Sequence, residues 1–396
     1  RMGMDSAAKC QEALSVRVDG YAVILPPDEQ PPGQNPSPDE VDEHWNKNAE
    51  EIILKYPPHD PTSFAEKFGI LNVDNKNTLE EEAQDAATGK APKGRSFHNA
   101  KFVQRLRELA VAEPNVTVVI GTVTAMVEDS NGKVIGVDCK VSPPTKEEPQ
   151  MIALKPEQDY GIEPDKLTRR IHASLTVVAD GLWSGLRKKV VKPHETIKAS
   201  SFVGVLVQHP HMEAPVPHRH YGHVILAQPS PILIYQISPT ETRILVDIHG
   251  KLPSAATGEL KKYLEGVASQ LPPVFRQGFL EALERGGIKS MPNRSLTGKM
   301  ADKDGAVLVG DALNMRHPLT GGGMTVALRD VELLSNLLAE EGVLDKSALA
   351  ATAEDIKDQE NLSKEASAAL LRVKSRFMDK RRDHASTINV LADALH

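Results

Sequence analysis

Two stretches of this chain repeat one arrangement: an apolar run of strand character, an acid beside a glycine, then a helical pattern. Residues 305–334 read GAVLVGDALNMRHPLTGGGMTVALRDVELL. Ala306 to Val309 have the composition of a buried strand, and Gly310 and Asp311 end it. A Pro-Leu-Thr turn leads to Gly321, Gly322 and Gly323, and Met324 opens a helical apolar pattern. Residues 175–189, LTVVADGLWSGLRKK, repeat the arrangement with Asp180 and Gly181. Strands feeding helices in this way point to an α/β chain. An acid at the C-terminal end of a strand is placed to bind sugar-type hydroxyls. Glycine amides at a helix N-terminus let an anionic or electron-rich ligand approach the backbone. Residues 305–334 thus describe one wall of a nucleotide-cofactor site. The structural alternatives are a plain glycine-rich turn and, for Asp180, a helix cap.

A chain of 396 residues can bury a large core and is long enough for two domains at roughly 150 residues each. The 47 basic and 54 acidic residues leave a net charge of −7, which gives no nucleic-acid footprint. Cys10 and Cys139 form neither a close pair nor a metal spacing, as expected of two unpaired thiols. No apolar run approaches the ~18 residues of a membrane span, and residues 224–237 are interrupted by Pro229 and Pro231. There is no signal peptide behind Arg1. The start on Arg suggests a truncated or partial sequence.

Val- and Ile-rich runs bounded by Gly, Pro or charge predict strands at 116–120, 175–179, 202–207, 224–227, 232–237, 244–248 and 306–309. Phe102, Leu106, Leu109 and Ala110 predict an amphipathic helix over 98–112. Helical patterns recur at 260–269, 275–285 and 324–338. From Ala366 onward, Leu370, Val373, Phe377, His384, Ile388, Leu391 and Leu395 keep one stripe among Arg372, Lys374, Arg376, Lys380, Arg381 and Arg382. Such a stripe can lie on an anionic membrane or pack on its own domain. Residues 28–93, rich in proline and acids, read as a partly disordered surface insertion with order only near 51–54.

Three further stretches carry candidate chemistry. In GRSFHNAKF, residues 94–102, Arg95 precedes a predicted helix and could present its donor fork to a phosphate. In residues 224–250, VILAQPSPILIYQISPTETRILVDIHG, Tyr235 sits among aliphatic strands suited to a dry pocket or to plain core. His209, His211, His218, His220 and His223 lie among prolines without helical spacing, which favours a mobile hairpin loop over a metal site. No Ser-His-Asp grouping or zinc-protease motif appears.

The combination of GD, RHP and TGGGM within one strand-to-helix crossing resembles the second flavin-binding motif of FAD-dependent monooxygenases, and in detail that of the squalene epoxidases. Asp180-Gly181 resembles the DG motif of flavin monooxygenases. GRSFHNAKF resembles the squalene epoxidase segment GR-x-FHH-G-RF, with Asn99 and Ala100 in place of the second histidine and the glycine. Residues 224–250 look like the family's substrate-domain strands, and Tyr21 in VDGYAV matches its active-site tyrosine through Gly20 and Tyr21.

The resemblance implies an α/β fold: an incomplete glutathione-reductase-like FAD domain, an inserted sheet-rich substrate domain and C-terminal helices. In that division 1–27 is a remnant of the N-terminal FAD region and 28–93 the acidic insertion. Residues 94–192 and 301–340 are FAD-binding parts, 193–300 the substrate domain, and 341–396 helical and membrane-proximal. It implies FAD binding by Arg95, Asp180, Gly181, Asp311, Gly321, Gly322, Gly323 and Met324. Tyr21 and Tyr235 would line the substrate and inhibitor pocket, with no metal. It further implies FAD-dependent epoxidation of squalene in sterol (ergosterol) synthesis, with electrons from NADPH through a microsomal cytochrome reductase. The endoplasmic reticulum membrane, allylamine-type inhibitors and a fungal source follow from the same likeness. No G-x-G-x-x-G occurs, so this chain is expected to hold FAD poorly alone, the missing turn and a C-terminal anchor lying outside it. A soluble FAD-dependent aromatic hydroxylase and a non-catalytic lipid-binding remnant are the competing readings.

Overall fold

The computed structural model describes residues 15–27, 37–55, 94–141, 168–192, 197–209, 214–352 and 356–394. Its strands are β1 (Ser15–Val18), β2 (Gly20–Leu25), β3 (Glu50–Lys55), β4 (Gly94–Phe97), β5 (Gly121–Glu128), β6 (Val134–Val141), β7 (Thr168–His172), β8 (Thr176–Val178), β9 (Ile197–Gln208), β10 (Tyr221–Ile225), β11 (Ile232–Ser238), β12 (Glu241–His249), β13 (Lys289–Ser295) and β14 (Ala306–Leu308). Its helices are α1 (Pro38–Asn48), α2 (Asn99–Ala112), α3 (Arg187–Val190), α4 (Glu259–Val267), α5 (Pro273–Arg285), α6 (Gly323–Glu340), α7 (Val343–Thr352) and α8 (Ile356–Ala394). The chain divides into two units, Arg1–Val116 with Ser200–Pro292, and Thr117–Ala199 with Asn293–His396.

The first unit is built on a seven-stranded sheet in the order β13-β9-β12-β11-β10-β2-β3. The β2–β10 pair is parallel, while β9, β12, β11 and β10 pair antiparallel in turn. Side chains alternate across a pleated strand, so each strand offers one residue in two to each face. One face sends Ile24, Val205, Ile225, Ile234, Ile244 and Val246 into a core with Leu264 of α4 and Phe275 and Phe279 of α5. Burying each such side chain is worth roughly 1.5–3 kcal/mol. Gly20 is required where β3 crosses closely, because a Cβ there would lie 2.1 Å from the Leu54 carbonyl oxygen. Residues 94–116 cluster with this unit, and β4 pairs with β1.

Part of the acidic insertion is ordered: β3 contains the expected 51–54, and α1 is order that the sequence reading did not expect. Ser37 and Glu40 form a capping box at the start of α1, and β3 pairs with β2 along its length. Trp45 joins the core, and Asp42 pairs with Arg276 of α5. The many acids and prolines obscured a Ser-x-x-Glu start signal. Residues 28–36 and 56–93 lie outside the described residues.

The second unit contains the antiparallel β5-β6-β7 sheet, the parallel pair β8–β14, and helices α6 to α8. Val178, Leu308, Leu334, Leu337, Leu370, Val373 and Phe377 share its core. Leu370, Val373 and Phe377 of the C-terminal stripe therefore pack on their own unit, whereas Leu391 is exposed and Leu395 lies outside the described residues. Three of its cations are engaged in the same unit: Arg372 and Arg376 pair with Glu341 at 2.8 Å each, and Lys374 caps the carbonyl of Lys303 at 2.6 Å. Among the described residues, no helix is long and apolar enough to cross a membrane.

Two expectations fail. Residues 116–120 form no strand, and β5 starts instead at Gly121. Val116, Val118 and Ile120 are exposed there, and a strand needs a partner that alternation alone does not supply. His223 is not on a loop but buried in β10, where it stacks on His218 and meets the Phe275 ring edge-on. His218 also pairs with Glu51 at 2.8 Å. His211 and Cys10 lie outside the described residues, and Cys139 is a buried free thiol.

Candidate functional site

In the second unit β8 and β14 run parallel, with Val178 opposite Leu308, so both acid-glycine pairs leave the same end of one small sheet. Asp180 and Asp311 are thereby brought to neighbouring strand ends. The buried Arg187 ties them together. Its Nη1 donates to the carbonyls of Asp311 (3.3 Å) and Ala312 (3.4 Å), while the Asp180 charge offsets the burial that lowers its pKa. Asp180 accepts weakly from the Leu186 amide at 3.4 Å, ahead of the single-turn α3, so the cap reading is only partly met. Gly181 adopts φ +75°, and nothing lies within 4 Å of where its Cβ would be. That left-handed turn is open to a ligand.

Asp311 is exposed to solvent, yet surrounding protein raises its carboxyl above the ordinary range, with Arg316 partly opposing this. No donor among the described residues hydrogen-bonds to its side chain. The chain then passes through His317, whose Nδ1 accepts from the Leu319 amide at 3.3 Å, to Gly321 at φ 64° and the start of α6. That helix has no side-chain cap and no acid in its first turn, so its first amides keep their positive end uncompensated.

The three glycines are not equivalent. A Cβ on Gly322 would lie 2.6 Å from Cγ1 of Ile388 on α8, so its missing side chain makes room for a helix. Gly321 supplies the left-handed turn, and Gly323 and Met324 open α6.

Behind this loop lies a polar network that the sequence reading missed. Asp330 of α6, 1% exposed, accepts from Arg381 Nε at 3.0 Å and meets His384 Nε2 at 2.8 Å. Asn314 Oδ1 accepts from Arg316 Nη2 (2.6 Å) and Arg381 Nη2 (2.9 Å), and Arg316 Nε donates to Asn389 Oδ1 (2.6 Å). One local signal existed. Asp330 occupies the buried stripe Val326, Asp330, Leu334, Leu337, and a carboxylate on an apolar helix face demands a buried partner.

Tyr21 and Tyr235 belong to the first unit, on the sheet face opposite its helix-covered core. Register sets Tyr21 beside Gly222 and Tyr235 beside Arg243, and His223 opposite Ile234 puts Gly222 next to Tyr235. A Cβ on Gly222 would come within 3.0 Å of the Tyr21 ring, so glycine makes the space that the ring occupies. The adjoining row runs Ile52, Val23, Val224, Leu233, Leu245 across five strands, without a polar side chain. Burial raises the Tyr235 phenol, partly countered by the charge and hydrogen bond of Arg243. Arg95 lies on β4, paired with Arg17. Downstream of it, Ser96 Oγ donates to the Gln236 carbonyl, and His98 pairs with Glu241 at 2.7 Å. Arg95, Tyr21 and Tyr235 thus fall in the first unit, and the other candidate residues in the second.

This architecture is that of FAD-dependent monooxygenases and halogenases. Similar solved structures include a flavin-dependent brominase triple mutant (TM-score 0.53, 15% identity, 86% of this chain and 66% of that one). A probable FAD-dependent monooxygenase from Pseudomonas aeruginosa is also similar (TM-score 0.51, 13% identity, 96% of this chain and 84% of that one). The squalene epoxidase family model matches residues 172–396, and the chain belongs to that family. A squalene monooxygenase of Panax ginseng is 42% identical over 83% of this chain and 52% of its own length. A squalene monooxygenase of Mus musculus is 37% identical over 78% and 46%, and a squalene epoxidase of Aspergillus fumigatus 39% over 77% and 55%. The chain spans about half the length of these relatives. Plant, mammalian and fungal members match at similar identity, so the match does not single out a fungal source.

Proposed function

We propose that the chain is part of an enzyme that epoxidises squalene to 2,3-oxidosqualene with molecular oxygen, bound FAD and electrons originating from NADPH. The observation that carries the reading is the apolar face of the first unit's sheet, opposite its helix-covered core. A hydrocarbon offers no group to hydrogen-bond, so its site must be apolar, and the row Ile52–Val23–Val224–Leu233–Leu245 is apolar throughout. Tyr21 and Tyr235 form the neighbouring row and would set the shape of the wall, with no covalent role.

The residues of the second unit fit a flavin nucleotide: the Asp311 carboxyl has no hydrogen-bond donor among the described residues, Gly181 has an open left-handed turn, and α6 an N-terminus without a side-chain cap. Asp311 would accept from ribityl or ribose hydroxyls. The amides of Gly321, Gly322, Gly323 and Met324 would lie against an electron-rich part of the cofactor, and Asp180 and Gly181 towards its diphosphate. Arg95 is assigned to the diphosphate by family resemblance. FAD, when bound, supplies the oxygen-activating chemistry. The protein's part is to orient the alkene and exclude water. The reductase partner, the endoplasmic reticulum membrane, the role in sterol synthesis and allylamine sensitivity belong to the same proposal.

Two observations weigh against the competing readings. Arg243, the cation that a polar phenolic substrate would need, is engaged with Tyr235. A remnant without cofactor gives no role to a desolvated Asp311 carboxyl that no donor among the described residues engages.

The test is incubation of the full-length protein with FAD, NADPH, a reductase and squalene, with 2,3-oxidosqualene expected by mass spectrometry. A flavin-loaded, reducible protein that forms none refutes the reading. Tyr235→Ala should lower turnover about tenfold or more, ~1.4 kcal/mol in the barrier, while flavin absorbance is retained. Unchanged turnover and inhibition remove Tyr235 from the pocket.

A further inference from the structure

Arg316 is 8% exposed, and two of its three guanidinium nitrogens are engaged inside the second unit by neutral amides. Nε donates to Asn389 and Nη2 to Asn314, each at 2.6 Å. Arg381 shares the same Asn314 oxygen at 2.9 Å, but has its own carboxylate in Asp330. Two buried guanidiniums therefore face one hydrogen-bonded carboxylate. Asp311 and Asp330 act on Arg316 only through space, and Asp311 is itself resisting ionisation.

Buried cations are normally paired. Here the third nitrogen, Nη1, has no hydrogen-bond partner among the described residues. It lies 3.8 Å from where a Cβ on Gly323 would be, beside the first residue of α6. That helix is 18 residues long and has neither cap nor first-turn acid. A guanidinium and the positive end of a helix repel one another. The arrangement is held by α8, whose Arg381, His384, Ile388 and Asn389 contact Asn314, Asp330, Gly322 and Arg316.

We propose that Arg316 is a charge-compensating residue of the cofactor site, its open Nη1 and the α6 N-terminus together taking negative charge on the bound cofactor. The inference rests on the flavin reading above. The charge has two sources, the diphosphate or the ring after two-electron reduction, and two measurements separate them in the FAD-loaded full-length protein.

If the charge is on the ring, Arg316→Gln lowers the midpoint potential by ~30 mV for each tenfold loss of preference for the reduced form. Affinity for oxidised FAD then changes little. If it is on the diphosphate, the Kd of oxidised FAD rises about tenfold with the potential unchanged, a loss of the order of one charged contact. Should Arg316→Gln fail to fold, Asn389→Asp keeps the guanidinium but gives it a counter-charge at Nε, and the same shift is expected. Asn389→Ala removes the acceptor without adding charge and should leave the potential unchanged. Wild-type potential and affinity in both Arg316→Gln and Asn389→Asp overturn the inference, as does an equal shift in Asn389→Ala. A wild-type protein that takes up no FAD refutes the flavin reading instead.

Discussion

Asp311 is a carboxyl that the folded chain makes harder to ionise, because neighbouring protein replaces water around it faster than Arg316 can compensate. A carboxyl raised in the folded state costs nothing where both states are protonated. It costs stability as pH rises through its folded pKa. Asp311→Asn should therefore match the wild type at low pH and melt at the same or a higher temperature near neutrality, while losing flavin. Thermal melts across pH, with flavin absorbance after gel filtration, check both halves. A variant that is less stable at pH 7 makes Asp311 structural, and one that keeps its flavin removes it from the site. Asp311 and Asp180 were legible because strand, acid and glycine are contiguous in the chain. Arg316, Asp330 and Arg381 were not, since the Asp330–Arg381 contact spans 51 positions and a linear pattern shows only a basic stripe and a stray acid.

The glycine run and the C-terminal helix show the same limit among elements. The sequence reading gave all three glycines to a ligand, and Gly322 also clears Ile388 of α8. Gly322→Ala should cost about 1–3 kcal/mol as an overpacked contact, and Ile388→Ala in the same chain should recover most of it. Urea denaturation of the four members of this cycle measures the coupling, and additive losses would mean that the two do not meet. The alternation of β10 to β12 and the stripe of α6 were readable because burial repeats with the period of the element. Residues 116–120 carried the composition of a strand but not the neighbour that makes one. The helix α1 hid in an acidic stretch because its buried face is essentially Trp45 alone.

At the scale of the molecule, the two units have separate cores and respond to acid in different windows. His223 in the first is 1% exposed, and burial, aided by His218, lowers its pKa from 6.5 to about 4. A histidine lowered in the folded state is protonated first in the unfolded chain. Stability is thus full above the ordinary value and drains as pH falls from 6.5 towards 4. A shift of this size corresponds to roughly 3 kcal/mol, a large part of a domain's stability. In the second unit the carboxylates of Asp138, Asp302 and Glu341 are lowered by hydrogen bonds from Arg170, the Lys192 amide and Arg372. Their contribution persists until the pH falls through those lowered values, and the cost at Asp311 eases over the same descent. Between pH 7 and 5 the first unit should therefore weaken while the second holds. Hydrogen exchange with mass spectrometry, corrected for the intrinsic rate at each pH, should show protection falling in β10 to β12 and in α5. It should stay constant in α6 and the 370–385 part of α8. His223→Asn should remove most of the difference, since a side chain that cannot take up a proton leaves acid only the smaller pull of His209, whose pKa burial also lowers. Equal loss in both units, or a pH response that survives undiminished in the variant, would place the acid sensitivity elsewhere.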